Sequence, residues 1–369
     1  MNTMENIKNN FVLKNFIKEN YSHETENTHD IYTISPVIRD KEMKFDIEYA
    51  SYTIDGKTPE LILNPMLVFE LDENNGNDDG LDIDSKISDI SMKIGGYTSK
   101  LQDQQIKIYN KIYGLESKKI GSKIFYPIPI LQMINGNGLL FSKCRNTDIS
   151  LFVNYNTNHF LKYIKHCYMT CDLIYYKSPD YSLLNNYTCT NFNNNYENYK
   201  MIDLNYFKGS DNKCENSIIL KIKENQFYGL ESTSNSNSLI LSPLRVKLGF
   251  HHNVNRFFIY FQNSNDKSIY SETQFEKIQF FALGEIVLEY DYQTLLDLND
   301  KNILGYELPK GVFEIKWNCD QWKNLSNLCN LTMVISNLMI PLNFDLAICA
   351  ESENIAYYHD NVYQILFTN

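Results

Sequence analysis

Short apolar runs, closed off by turn signals about every ten residues, divide this chain from end to end, and that spacing selects antiparallel sandwiches over helical or doubly wound folds. In the first half the runs are Ile31–Ile38, Met43–Ala50, Leu61–Leu71 and Ile87–Ile94, and in the second Leu239–Leu241, Leu244–Phe250 and Asn253–Gln262. Three more runs close the chain, at 330–335, 344–350 and 362–369. Gly95-Gly96 permits a sharp turn after Ile94, because glycine takes φ > 0 without a steric cost. Ile106, Tyr109 and Tyr113 then recur at helical spacing, which predicts a short helix over Asp103–Tyr113. Ile124, Tyr126, Ile128 and Ile130 alternate with period two. Pro127 and Pro129 remove ladder donors from that run and place it at a sheet edge or corner.

The asparagine-dominated stretch Asn185–Asn198 has too little apolar area to join a core and reads as the connection between two domains. The expected division is an N-terminal arm over 1–30, a first sandwich over 31–182 and a second over 183–369. Gln293–Leu304 reads as a short helix, and Leu308–Trp317 as a turn followed by a strand. The 369 residues suffice for a sizeable core, and 27 tyrosines and 21 phenylalanines give the composition a β-leaning, aromatic character.

A net charge of −11 argues against packing on nucleic acid, which needs clustered Lys and Arg to neutralise phosphates. No apolar run is long enough for a membrane-spanning helix, and Met1–Asn10 is too polar for a signal peptide, so synthesis in the cytoplasm is the expectation. The eight cysteines are dispersed and read as reduced and structural. Only His166, Cys167 and Cys171 approach ligand spacing, with no second pair to answer them. The acidic stretch 72–84 superficially resembles a calcium loop. Its best frame, from Asn75, puts Lys86 where a bidentate Glu is required, so a solvated loop is expected. His251 and His252 are adjacent, so their side chains diverge unless the backbone bulges. No catalytic triad, phosphate loop or paired catalytic carboxylates emerge. A non-enzymatic protein without metal or cofactor is expected, with sequons at Asn186, Asn324 and Asn330 carrying little weight in a cytosolic chain.

An Ile-Gly-Gly turn at 94–96, a tyrosine-rich helix, a Pro-x-Pro strand at 127–129, a Cys-Arg-Asn corner at 144–146 and the strand Ile149-x-Leu151-x-Val153 follow one another in that order. This series resembles the first half of the double jelly-roll major capsid proteins of nucleocytoplasmic large DNA viruses, a group that includes the poxvirus scaffold protein. Asp172–Tyr176 stands where a similar strand closes that family's first roll, although the acidic-arginine pair that should follow is missing. In the second half, 251–262 is similar to the family's His-Pro-Val-x-x-x-Ile-Trp-Val-x-Gln run, with Asn253 for the proline and Tyr260 for the tryptophan. The resemblance implies an all-β chain of two consecutive eight-stranded antiparallel jelly rolls with short helical insertions. It further implies a subunit of an icosahedral shell that forms homotrimers of hexagonal outline and tiles them in the virion. A transient scaffold or minor shell paralogue of the same fold is the alternative, and a carbohydrate-binding jelly roll a more distant one.

The arm carries one apolar cluster, Phe11, Leu13, Phe16 and Ile17. Burying each of these contributes on the order of 1.5 to 3 kcal/mol, against a cost of about 1 to 2 kcal/mol per ordered backbone residue. The sums nearly cancel. The arm is therefore expected to act as an assembly contact, docking on a neighbouring trimer, a minor capsid protein or the inner membrane.

Overall fold

The computed structural model describes residues 28–48, 59–72, 83, 86–130, 138–156, 160–175, 218–230, 243–263, 274–319, 324–327, 331–338, 344–359 and 362–365. Most of the arm, the centre of the acidic loop, the Asn-rich stretch and the run 239–241 lie outside the described residues.

Among the described residues the strands form four antiparallel sheets, distributed between two compact units. The first half supplies β1 (Thr28–Ile34), β2 (Val37–Arg39), β3 (Glu42–Asp46), β4 (Leu61–Leu71), β5 (Ile87–Ile94) and β6 (Tyr97–Gln102), then helix α1 (Asp103–Tyr113). It continues with β7 (Lys118–Ile120), β8 (Lys123–Pro127), β9 (Gly138–Leu140), β10 (Ile149–Tyr155) and β11 (Ile164–Tyr175). One sheet has the order β1-β11-β4-β8-β7, with β9 beside β4, and its companion the order β2-β3-β10-β5-β6.

The second half supplies β12 (Ile218–Leu230), β13 (Leu244–Leu248), β14 (Asn253–Asn263), β15 (Lys277–Ala282) and β16 (Glu285–Asp291), then helices α2 (Tyr292–Leu298) and α3 (Lys301–Leu304). After them come β17 (Val312–Lys316), β18 (Leu331–Ser336), β19 (Phe344–His359) and β20 (Val362–Ile365). The sheet orders are β12-β19-β14-β17, with β20 beside β19, and β13-β18-β15-β16.

With the short strands β2, β7, β9 and β20 set aside, each half retains eight strands among the described residues. Numbered in chain order within each half, one sheet runs 1-8-3-6 and the other 2-7-4-5, and both halves have the same pair of orders. Such a winding, with first strand beside last, is a jelly roll. Its repetition makes this an all-β double jelly roll. In both rolls the helical insertion follows the fifth strand, α1 after β6 and α2 after β16.

Local chemistry explains the boundaries. Helix α1 starts with a capping box, in which the Gln102 N–H donates to Gln105 Oε1 at 2.8 Å, and stops at Gly114 with φ +63°. An Asp103–Lys107 pair at 3.1 Å staples its first turn. The tight turn after β5 uses Gly95 at φ +58°, where a Cβ would stand 3.2 Å from the Thr147 methyl. Pro65 lies within the central strand β4. It is accommodated because the ladder with β11 is irregular there, and Asn64, at φ +45°, donates through Nδ2 to Asp172 at 2.7 Å.

Three local expectations need correction. The run 31–38 is two strands, β1 and β2, because Ser35-Pro36 interrupts the ladder. Of the edge or corner expected for the proline run, the edge is ruled out, since β8 pairs with both β4 and β7, and Pro127 stands at its last rung, where Ile128 N–H turns to the Pro65 carbonyl at 3.3 Å. The helix at 293–304 is two helices, broken at Asn299-Asp300, because Asp300 caps a new start by accepting the Asn302 N–H.

Candidate functional site

Strand β14 divides its side chains between two faces. Phe257, Ile259 and Phe261 enter the sandwich core, while Arg256, Phe258 and Tyr260 occupy the opposite face of the sheet. Helix α1 covers that second face. Tyr109 sets its ring edge-on against Phe258 with centroids 6.1 Å apart, and Gln105 Nε2 donates to Cys349 Sγ at 3.1 Å.

Beside the helix a row of charges crosses four strands. Lys223 of β12 lies 3.4 Å from Glu351 of β19, Arg256 of β14 donates to Glu351 at 2.9 Å, and Arg256 approaches Glu314 of β17 at 3.3 Å. Tyr306 accepts from Arg256 at 2.9 Å and donates to Glu314. The two carboxylate side chains are 1% and 2% exposed, so their charges stand almost entirely on these partners. Burial opposes ionisation of Glu351, but Arg256 and Lys223 outweigh it and hold the carboxyl below the usual carboxylate range. Asn299 closes the outer edge of the row: its side chain accepts the Glu314 N–H at 2.5 Å and donates to the Glu314 carbonyl at 2.8 Å, occupying backbone groups that edge strand β17 would otherwise present. The open cleft here, lined by Asn255, Lys316 and Asn318 together with Arg256, Glu314 and Glu351 of the row, contains two cations and two carboxylates. Their mutual neutralisation suits a structural clasp rather than proton transfer.

The row was not among the sequence candidates, though a trace of it is legible. Arg256 is the one charge between Val254 and Phe261, the pattern of a buried and therefore paired charge, whereas Glu314 and Glu351, each with a second charge two residues on, carry no such mark. The remaining candidates lie apart. Cys167 and Cys171 sit on one strand, four residues or about 13 Å apart by strand rise. Burial pushes both thiols, and that of Cys349, up to about 12, which suppresses thiolate formation. The rings of His251 and His252 are 6.2 Å apart and tilted, and Gln226 holds the turn by donating to the His251 carbonyl and accepting its N–H, both at 2.8 Å. Phe11, Leu13, Phe16 and Ile17 lie outside the described residues. Among the described residues, exposed large apolar side chains gather on the β15–β16 hairpin and the helices after it: Leu283, Ile286, Leu296, Leu298 and Ile303.

No family model and no curated protein sequence matches the chain. Solved structures do. The PBCV-1 virus capsid aligns at 12% identity and a TM-score of 0.60, over 94% of this chain and 98% of that one. PBCV-1 VP54, as fitted into a reconstruction of the virophage Sputnik, aligns at 11% identity and 0.59 over the same shares. The STIV MCP aligns at 10% identity and 0.50, over 90% of this chain and 98% of that one. The fold is that of the double jelly-roll major capsid proteins.

Within the double jelly-roll frame, the five sequence pieces take consecutive places in the first roll: the turn between β5 and β6, helix α1, strand β8, the corner after Phe141–Cys144 and strand β10. At 10–12% identity, strand order rather than residue identity carries the likeness.

Proposed function

We propose that this protein is a structural subunit of a viral capsid, assembling as a homotrimer of pseudo-sixfold outline that tiles a shell, with the rolls divided near the Asn-rich stretch. The observation that carries the reading is the double winding: two sandwiches with one strand order in a single chain, aligned to capsid proteins over nearly its whole length. Two similar rolls per chain let three chains present six similar lobes. The net charge of −11 suits a shell that leaves the genome to other proteins. Light scattering on the purified protein at micromolar concentration should give the mass of a trimer. A monomer that binds glycans would sink the proposal and favour a carbohydrate-binding module, while trimers missing from mature particles would favour a transient scaffold.

The apolar side chains exposed on the second roll are suited to contacts between copies. Changing Leu283, Ile286 and Ile303 together to serine should leave the unfolding transition within about 0.5 kcal/mol per site of the parent, as exposed substitutions do. Trimer or lattice formation should weaken. Equal assembly of parent and variant by light scattering and electron microscopy would remove this surface from the contact.

The N-terminal arm belongs to the same proposal as an assembly switch, docking on an adjacent trimer, a minor capsid protein or the inner membrane. The expected arm of 1–30 overlaps β1, which starts at Thr28, so the deletion is limited to residues 1–27; it should leave the trimer and its melting temperature nearly unchanged while abolishing lattice growth. A deletion that unfolds the trimer would make the arm part of the core instead.

A further inference from the structure

We infer that the two rolls are locked together by a reciprocal exchange of elements, so that they melt as one body and stay associated when the chain between them is cut. The inference rests on the described contacts and is independent of the capsid reading.

Helix α1 is encoded between the fifth and sixth strands of the first roll, yet residues 102–114 belong to the compact unit formed with 223–353. All its named anchors come from second-roll strands. Besides the contacts to Phe258 and Cys349, the Tyr109 hydroxyl donates to Asn225 Oδ1 at 3.4 Å, and the Lys223 ammonium lies 5.8 Å from the Tyr113 ring centroid. Tyr109 is fully buried.

The return crossing is made by the C-terminus. Strand β19 pairs with β14 from Phe344 to Glu353, but residues 354–369 belong with 1–101 and 115–222. There β19 and β20 form a hairpin whose Tyr358 and Tyr363 rings meet edge-on at 5.1 Å. The Tyr363 N–H donates to Thr147 Oγ1 at 3.0 Å, and β20 lies against the turn Phe141–Cys144. A Cβ on Gly95 would stand 3.5 Å from the Tyr363 carbonyl oxygen, so the hairpin closes tightly over the β5–β6 turn.

Each half of the chain therefore retains a piece of the other's fold. Cutting the connection near Asn193 leaves α1 on the N-terminal fragment and the β19–β20 hairpin on the C-terminal one. Separation would have to strip a helix from one unit and a hairpin from the other, exposing buried tyrosines in both.

The test uses the full-length protein with a protease recognition sequence inserted after Asn193. After cleavage, the two fragments are expected to co-elute under native conditions and to melt in one transition at the temperature of the uncut protein. Tyr109→Ala combined with Tyr363→Ala should release the fragments once the chain is cut. Should that variant fail to fold before cutting, hydrogen exchange on the parent decides. Amides of α1 should then share the protection of β14, and those of β20 the protection of β10. Fragments that part after cleavage, two separate transitions, association indifferent to both substitutions, or α1 amides that exchange independently of β14 would each overturn the inference.

Discussion

Arg256→Met is expected to cost about 3 to 5 kcal/mol of folding stability, the effect of leaving a buried charge without its partner. The side chain is 14% exposed and bridges two carboxylates, Glu314 and Glu351, that are nearly inaccessible. Methionine keeps much of the packing volume and removes the charge, so the loss would reflect stranded carboxylates rather than a cavity. Following Arg256→Met with Glu314→Gln and Glu351→Gln should recover a large part of the deficit, because neutral amides are cheaper to bury. The pH dependence has a definite sign. The folded-state carboxyl of Glu351 titrates below its unfolded value, so its contribution is complete above the ordinary carboxylate pKa near 4.5 and is lost as pH falls through the depressed value. Thermal melts from neutral pH downward should show the parent losing stability below that point, with a shallower decline in Glu351→Gln. An Arg256→Met protein within about 1 kcal/mol of the parent at neutral pH would show that the row contributes little.

Much of the fold was legible wherever a local signal coincided with the final environment. Leu61–Leu71 and Ile87–Ile94 matched β4 and β5 residue for residue, and the Ile106, Tyr109, Tyr113 spacing gave α1 its full extent. Legibility failed where tertiary context decided. Amphipathic spacing says that α1 buries one face but not which sheet receives it, and the receiving residues Phe258 and Cys349 lie more than a hundred positions away. The charge row was hidden for the same reason, since Lys223, Arg256, Glu314 and Glu351 become neighbours only through the strand order of the second roll. Pro127 misled in another way: a proline at the last rung of a strand costs no interior ladder bond, so it marks an end as readily as an edge. The division of the core between two faces of β14 was readable in principle, because alternation alone separates Phe257 from Arg256.

That alternation also places Phe257 in the core of the second roll. Phe257, Phe280 and Trp317 meet in the sandwich core with ring centroids 5.3, 5.4 and 5.5 Å apart, one pair stacked and two edge-on. They come from β14, β15 and the residue that follows β17, so the cluster joins both sheets of the roll. Phe257 touches both of the other rings and Phe250 besides, and is fully buried. Phe257→Ala is therefore expected to cost about 3 to 5 kcal/mol, the transfer of a large ring plus the cavity it leaves. Phe257→Leu should cost less, because it keeps most of the volume while giving up the aromatic geometry, itself about 0.5 to 1.5 kcal/mol per pair. Urea titration separates these outcomes from a change of mechanism: the midpoint should fall in the order parent, leucine, alanine, with the slope unchanged. A single cooperative transition lowered as a whole would place this cluster within the same folding unit as the exchanged helix. A second transition appearing only in Phe257→Ala would mean that the second roll can melt alone, against the interlock inferred above.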